Sequence, residues 1–137
     1  MIYITRKEHF NAAHKLYNAQ WTLEENLKVF GKCANPNYHG HNYEVYVTIK
    51  GEINTETGFV MNLFDLSAIL KQEVVELLDH KNLNVDIEYF HTRLPSIENL
   101  CVFIWQLIEP KIKKHGPEVH CVKIQETDNH FAEYYGR

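Results

Sequence analysis

The chain has 137 residues, of which 45% are hydrophobic and 23% are charged. This composition fits one globular domain over residues 1–137 and excludes a disordered, collagenous or coiled-coil protein. The net charge of −4 argues against a nucleic-acid partner, and the apolar runs are too short to span a membrane. Three cysteines do not make a disulfide framework, and the N-terminal residues lack the order of a signal peptide. We therefore expect a cytoplasmic protein.

The first half of the chain is predicted to form strands around a long loop. Apolar residues alternate over residues 1–14, which are predicted to be extended. Residues 17–38 are polar and contain loop-forming residues, and a loop of this length in a compact domain is usually functional. The alternation is clean over residues 41–50, and residues 59–61 are predicted to form a short strand that pairs back as a hairpin.

The second half of the chain is predicted to contain two helices and two strands. One amphipathic helix follows the N-cap residue Asn62, and another follows the N-cap residue Ser96 and ends or kinks at Pro110. Residues 119–126 and 131–135 are predicted to be strands joined by a turn. The order ββααββ predicts an α+β fold, with a four-stranded antiparallel sheet that carries both helices on one face. The exposed edges of such a sheet favour an oligomer.

The clearest chemical signal among the nine histidines is the run His39-Gly40-His41. Residues i and i+2 of a strand point to one side, so both imidazoles can reach one metal ion, and Gly40 permits close backbone approach. If the first two strands pair, His14 can complete a site of three histidines. Three protein ligands with an open position are typical of catalytic zinc. The alternative is a pair of surface histidines without a ligand.

The three cysteines receive different predictions. Cys33 lies six residues before His39, and the neighbouring Lys32 favours its thiolate. It is a candidate nucleophile or base beside the metal, a candidate fourth ligand of a structural zinc site, or a free cysteine without a role. Cys101 and Cys121 lie on apolar periodicities, and both are predicted to be core residues.

Acidic residues supply further candidates. Asp79 can orient the adjacent His80 for proton transfer, although a histidine at a helix C-terminus can also simply meet the helix dipole. Glu126 lies on the inward face of a predicted strand, where a carboxylate needs a partner or a ligand. Glu98 is explained by its position in the first turn of a helix. No role is predicted for the remaining histidines, which are His9, His91, His115, His120 and His130.

The sequence lacks a Gly-rich phosphate loop, a GxSxG motif and a CxxC pair, which disfavours a kinase, a serine hydrolase and a zinc ribbon. Taken together, its motifs resemble the 6-pyruvoyl tetrahydropterin synthase family. The matching segments occur in the family's order and span nearly the whole chain. They are FNAAH at 10–14, GKCANPNYHGHNY at 31–43, GEI at 51–53, TGFVMN at 57–62, LDHKNLN at 78–84, EN at 98–99 and ETDN at 126–129.

The resemblance implies a fold, an assembly and a cofactor. The fold is the tunnelling fold, in which the sheets of a trimer form a β-barrel and two trimers stack into a hexamer, a dimer of trimers. The cofactor is Zn²⁺, held by His14, His39 and His41. The substrate is 7,8-dihydroneopterin triphosphate, from which the enzyme eliminates triphosphate while hydrogen moves within the molecule.

The resemblance also implies the roles of other residues. Cys33 is the base that removes a proton, and Asp79 and His80 are its relay in a site between subunits. Glu126 anchors the N–H groups of the pterin ring, and the segment from Ser96 to Glu98 lies near the same pocket. Lys15, Lys28 and Lys32 are candidate phosphate contacts on the basis of charge alone.

Two points leave alternatives open. Ile97 stands where the family usually has a hydroxyl-bearing residue, which affects the expected contacts of the pterin. A sister enzyme, 6-carboxy-tetrahydropterin synthase of the queuosine pathway, uses the same substrate but releases acetaldehyde, and its cysteine typically stands closer to the histidine pair. Further alternatives are a non-enzymatic module with a structural zinc closed by Cys33, and a metal-free relative that acts on dihydroneopterin as an aldolase or epimerase.

Overall fold

Five strands form one sheet in the computed structural model, which describes all 137 residues. The order of the strands in the sheet is β3-β1-β2-β4-β5. All pairs are antiparallel except β3, which lies parallel to β1 at one edge. The strand bounds are Ile2–His14 for β1, His39–Gly51 for β2, Lys81–Asn82 for β3, Glu118–Thr127 for β4 and His130–Tyr134 for β5.

This sheet confirms the predicted α+β class but corrects the predicted four-stranded antiparallel sheet. The extra strand, β3, has two residues and is too short for its sequence to show a periodicity. It forms because the amide of His80 donates to the carbonyl of Asn11 (2.7 Å), which brings the following residues alongside β1. The prediction of a strand over residues 59–61 is wrong, because the Phe59 carbonyl accepts the amide of Asn54 (3.1 Å) and closes a loop instead.

The predicted long loop contains a helix, α1 (Leu23–Phe30), followed by a 3₁₀ turn (Gly31–Ala34). The Thr22 hydroxyl caps α1 by accepting the amide of Glu25 (3.1 Å). The fully buried Asn26 ties α1 to the preceding loop, since its side chain accepts the amide of Asn18 (2.7 Å) and donates to the Asn18 carbonyl (2.9 Å). Most apolar side chains of α1 are exposed, so this helix packs little apolar surface against the core.

The two predicted helices are present, and both begin at the predicted caps. The Asn62 side chain caps the first of them by accepting the amide of Phe64 (2.9 Å), and Ser96 caps the last by accepting the amide of Asn99 (3.2 Å). The last helix does not end at Pro110 but continues to Lys113. The bounds are α2 (Leu63–Leu70), a π-helical turn (Lys71–Val75), α3 (Glu76–Leu78), α4 (Leu83–Asp86), a 3₁₀ turn (Glu88–His91) and α5 (Ile97–Lys113).

A single core of 24 buried residues lies between one face of the sheet and helices α2 and α5. The inward side chains of β2, including Tyr43, Val45 and Val47, meet apolar residues of both helices there. The C-terminal ends of β1 and β4 and the start of β2 meet at one end of this layer. That end carries the polar residues described below.

Cys101 belongs to this core as predicted, but Cys121 does not. The pairing of β2 with β4 shifts register after Thr48, which pairs with Cys121, so that His120 is an extra residue in β4. Such a bulge reverses the side to which the following side chains point. Cys121 is therefore buried on the opposite face of the sheet. No helix of the chain has the length and apolar character that crossing a membrane requires.

Candidate metal centre and active site

Pairing of the first two strands brings three histidines together. His14 lies directly opposite His39 in the β1–β2 ladder, and His41 lies two residues along the same face. The nitrogen atoms that they offer to a ligand all lie within 4.8 Å of one another. A Cβ atom at Gly40 would lie 3.4 Å from the carbonyl oxygen of Ala12, an ordinary contact distance, so the close approach of the two strands does not require a glycine there.

Two of these ring nitrogens are buried without a hydrogen-bond partner. They are Nε2 of His14 and Nδ1 of His39. The other nitrogen of His14, Nδ1, lies 2.8 Å from the carbonyl oxygen of Pro95, which can only accept a hydrogen bond. The proton of the neutral ring is therefore on Nδ1, and Nε2 presents a lone pair to the cluster. Buried polar atoms without partners are rare, and a metal ion would satisfy both.

The electrostatics of the cluster also suit a metal ion. Burial lowers the pKa of His39, and the nearby His14 lowers it further. Burial likewise lowers the pKa of His41, against the opposing effect of Glu126. A lowered pKa keeps the imidazole neutral at physiological pH, which is the form that binds a metal. The residues present therefore fit a metal ion.

Glu126 points into the same cluster. Its Oε1 lies 3.3 Å from Nε2 of His14 and 3.1 Å from Nε2 of His41, and its Oε2 accepts a hydrogen bond from His130 (3.1 Å). When Nε2 of His14 carries a proton, its contact outweighs burial and lowers the pKa of Glu126 to about 2, and His130 adds to the effect. An ionised carboxylate that faces imidazole lone pairs is favourable only with a cation between them, as a proton or a metal ion.

Cys33 lies near this cluster but outside the converging set of ligand atoms. It is half-buried in the 3₁₀ turn after α1, and its carbonyl accepts the amide of Leu16 (2.8 Å), two residues beyond His14. The group of side chains that can share one metal consists of His14, His39 and His41 and does not include the Cys33 sulfur. The geometry therefore favours an open three-ligand site over a closed structural site.

Asp79 and His80 form a hydrogen-bonded pair at the edge of the sheet. Nδ1 of His80 lies 2.8 Å from Oδ2 of Asp79, and Oδ1 of Asp79 accepts the amide of Asn11 (2.9 Å). This bond from Asn11, together with His80, lowers the pKa of Asp79. His80 has a left-handed backbone (φ 62°) and a side chain that is 76% exposed. No hydrogen bond joins either residue to Cys33 within the chain, so one protomer does not assemble the predicted relay.

The segment that begins α5 adjoins the metal cluster through its backbone. The Pro95 carbonyl accepts the bond from His14, while the Ser96 hydroxyl is used as the helix cap. Glu98 is exposed in the first turn of α5 and makes no hydrogen bond. Lys28 and Lys32 are exposed on α1 and the following turn, whereas Lys15 is half-buried beside His14. Ser96 and Glu98 therefore make no hydrogen bond to the three histidines.

Sequence reasoning missed two residues of this site. The hydroxyl of Tyr43 is buried without a partner, and its ring lies 5.5 Å from that of His41. Its position two residues after His41 on the same face could have indicated this contact. His130 was given no role, yet it bonds Glu126 across the β4–β5 turn. That contact depends on the hairpin register, which the spacing of the two residues in the sequence did not reveal.

Comparison with known proteins identifies the family of this chain. A sequence model of the family described as 6-pyruvoyl tetrahydropterin synthase matches residues 3–137. The chain belongs to this family. The human 6-pyruvoyl tetrahydrobiopterin synthase is 46% identical over 133 residues, which cover 97% of this chain and 90% of the human protein.

Other members of the 6-pyruvoyl tetrahydropterin synthase family extend the comparison. The structure of the Caenorhabditis elegans 6-pyruvoyl tetrahydropterin synthase matches with a TM-score of 0.93 at 32% identity, over 99% of this chain and 96% of that one. An Archaeoglobus fulgidus protein, provisionally named 6-carboxy-5,6,7,8-tetrahydropterin synthase, is 39% identical over 102 residues, covering 74% of this chain and 77% of the archaeal protein. The resemblance seen in the sequence is thus confirmed at the level of the family.

Proposed function

We propose that this protein is a carbon–oxygen lyase that converts 7,8-dihydroneopterin triphosphate into 6-pyruvoyl tetrahydropterin, eliminating triphosphate with internal hydrogen transfer. The observation that carries the proposal is the cluster of three histidines, in which two buried nitrogens lack partners, beside the ionised Glu126. Such a cluster can hold a metal near the hydroxyl groups of a substrate while the acid binds ring N–H groups. The similarity to the human synthase over nearly the whole chain supports the same reaction.

The proposed cofactor is Zn²⁺, held by His14, His39 and His41. Three neutral imidazoles with one open position match a catalytic zinc site. When bound, zinc supplies Lewis acidity that lowers the cost of charge on the hydroxyl oxygens of the substrate. The bond from His14 to the Pro95 carbonyl orients the ring and raises its basicity as a ligand.

The proposed anchor for the pterin ring is Glu126. Its carboxylate stays ionised at neutral pH and offers two acceptor oxygens to the paired N–H donors of a pterin. The bond from His130 fixes one of those oxygens from the side. The start of α5, from Ser96 to Glu98, is proposed to line the same pocket.

Cys33 is the proposed base, and its thiolate removes a proton from a carbon of the substrate side chain. His80, oriented by Asp79, is the proposed relay that moves protons to and from this thiol. Because no hydrogen bond joins His80 to Cys33 within one protomer, we propose that the site is completed between protomers. The pair at the sheet edge of one subunit would then serve the cysteine of another.

This arrangement requires a homo-oligomer. We propose a β-barrel built from the sheets of a trimer, and a hexamer built from two such trimers. The sheet supports this proposal because it has two open edges, along β1 beyond the short β3 and along β5. Open edges offer unpaired backbone groups to a second chain.

We also propose that the whole chain, residues 1–137, is one domain that works in the cytoplasm. One core joins all its long elements, which supports a single domain. All three cysteines are free, as is usual in a reducing compartment.

The deciding experiment is incubation of the zinc-loaded protein with 7,8-dihydroneopterin triphosphate, followed by mass analysis of the product. A product that retains the three-carbon side chain supports the proposal. A carboxyl-bearing product with released acetaldehyde would instead support 6-carboxy-5,6,7,8-tetrahydropterin synthase, which the similarity to the archaeal relative keeps as the second candidate. Absence of substrate consumption would refute both.

A further inference from the structure

A second cavity, of about 680 Å³, lies beside the metal cluster and has no part in the mechanism above. Its two walls are the loop after β1, which includes Tyr17, and the segment from Phe90 to Pro95, with Asn84 between them. No acidic residue lines it, although the chain carries more acidic than basic residues overall. The side chains in its lining that carry a positive charge, or gain one on protonation, are those of Arg93 and His91. This composition suits an anion.

The guanidinium of Arg93 is held in place and has no acidic partner. It lies 4.4 Å from the centre of the Tyr89 ring and makes no ion pair with any carboxylate. Stacking on an aromatic ring restricts the guanidinium while leaving its donors free, and these donors match the oxygens of a phosphate. His91 is also held in place, since its Nε2 donates to the carbonyl of Val85 (3.0 Å).

The cavity is connected to the metal cluster on two sides. Pro95 forms part of its wall and accepts the hydrogen bond from His14. Asn84, which lies between the two walls, accepts the amide of Lys15 (2.8 Å) and donates to the Lys15 carbonyl (3.0 Å). Lys15 is the residue after His14, so two residues of the lining, Pro95 and Asn84, are bonded to the strand end that carries a metal-cluster residue.

Lys15 adds a second cation to this region. Its ammonium lies 5.3 Å from the centre of the Tyr17 ring and 4.9 Å from that of Tyr38, and it makes no ion pair. Tyr17 belongs to one wall of the cavity, so the Lys15 ammonium lies beside that wall, whereas Arg93 belongs to the other wall. Two cations without acidic partners around a cavity free of carboxylates form a site for a ligand with several negative charges.

We infer that this cavity, with Arg93 and Lys15 as its cationic groups, binds a polyphosphate chain, and that this chain is the triphosphate of the substrate. The inference rests on the proposed function, because only a substrate held at the metal cluster brings its triphosphate to the adjoining cavity. The chemistry of the ligand is a polyphosphate anion, whether attached to the pterin or free. Arg93 is then a residue that determines affinity for the leaving group, without touching the bond that breaks.

The test uses the zinc-loaded protein, inorganic tripolyphosphate as the probe, and Arg93→Ala beside the control Lys114→Ala at the exposed end of α5. Calorimetry at fixed ionic strength measures the Kd of tripolyphosphate, and steady-state kinetics measure KM and kcat for the pterin substrate. Arg93→Ala is expected to raise both Kd and KM about tenfold, while kcat stays within about twofold of the parent value. Lys114→Ala is expected to change neither Kd nor KM. Arg93→Lys keeps the positive charge but loses the planar set of N–H donors of the guanidinium, and it is expected to give intermediate values of Kd and KM.

The outcomes separate the possible sources of the anion. An unchanged Kd in Arg93→Ala would overturn the inference. A raised Kd with an unchanged KM would mean that the cavity binds free polyphosphate, which overturns its assignment to the substrate. A protein that binds tripolyphosphate through Arg93 but does not consume the pterin would keep the anion site and refute the proposed function.

Discussion

The two ring nitrogens of His14 have different environments, and this difference defines the cluster at the scale of single residues. Nδ1 is engaged by the Pro95 carbonyl, while Nε2 is buried without a partner. The carboxylate of Glu126 faces that nitrogen at 3.3 Å. Both groups present lone pairs, so the site is arranged for a cation that lies among them.

His39→Ala is expected to remove most of the bound zinc, because it leaves two imidazoles where three converge. Metal analysis after dialysis is expected to find about one zinc per chain in the parent protein and almost none in the variant. The exposed His115→Ala is the control and is expected to keep its zinc. Full zinc in His39→Ala would contradict the proposed ligand set, and a parent protein without zinc would favour the metal-free aldolase or epimerase.

Cys33→Ala separates a catalytic from a structural role of the thiol. Because the sulfur lies outside the converging ligand atoms, zinc content and melting temperature are expected to stay those of the parent. Turnover is expected to fall at least about 100-fold through loss of the base. Measurement of zinc, thermal unfolding and turnover on the same sample checks this. Loss of zinc together with unfolding would instead identify a structural site closed by Cys33.

Tyr43→Phe tests the buried hydroxyl that lacks a partner. Its removal is expected to leave the free energy of unfolding unchanged or to raise it by up to about 1 kcal/mol, since no hydrogen bond is lost. The control is Tyr46→Phe on the other face of β2, where the hydroxyl donates to Glu44 (2.8 Å) and a small loss is expected. Urea denaturation measures both variants. A loss above about 1 kcal/mol in Tyr43→Phe would mean that its hydroxyl has a partner.

At the scale of elements, α1 and the turn after it position Cys33. The side chain of Asn26 holds α1 to the preceding loop through its bonds with Asn18, and it also donates to the carbonyl of Thr22 (2.9 Å). The apolar residues of α1 contribute little burial by comparison, since most of them are exposed. One buried polar side chain therefore fixes the segment that carries the proposed base.

Asn26→Ala is expected to lower the free energy of unfolding by about 3 kcal/mol, because it removes three hydrogen bonds at a fully buried position and leaves the amide of Asn18 without a partner. Gln20→Ala, an exposed change in the same loop, is the control, with an expected effect within about 0.5 kcal/mol. Urea denaturation of the two variants gives both values. Equal stabilities would show that other contacts hold α1.

Elements with a clear period or cap were predictable from the sequence. The alternation along β1 and β2, and the caps Asn62 and Ser96, predicted strands and helices that the structure contains. The helix α1 also had signals in its sequence, since Leu23, Leu27 and Phe30 have helical spacing and the cap Thr22 precedes Glu25 by three residues, and the prediction of a long loop overlooked them. The strand β3 and the bulge at His120 depend on contacts with distant strands, which local patterns do not encode.

Some features of the site were likewise predictable from the sequence, and others were not. The spacing of His39 and His41, with His14 at the end of β1, was enough to predict that the three would meet. The contact of His130 with Glu126 and the bond from His14 to Pro95 depend on the tertiary structure. The separation of Cys33 from His80 within one chain likewise required the structure.

At the scale of the whole molecule, the separation of Cys33 from His80 gives a test of the assembly. Neither Cys33→Ala nor His80→Ala alone is expected to be active. The two variants are unfolded, mixed in equal amounts and refolded together. If the two residues of a site come from different protomers, about a quarter of the sites receive both intact residues, and about a quarter of the parent activity is expected. Activity assays before and after mixing measure the gain, and mixing without refolding is the control. No gain would place both residues of a site in one subunit.

The two-residue strand β3 has a consequence for how chains can join. It covers the outer edge of β1 at Ala12 and Ala13, and the bonds of Asp79 and His80 with Asn11 extend that cover by one residue. The uncovered part, residues 2–10, is about 30 Å long. A strand from another chain that adds to this edge must stop where His80 begins. The segment from Asp79 to Asn82 therefore limits the register of the added chain and determines which of its residues lie beside the His80 imidazole.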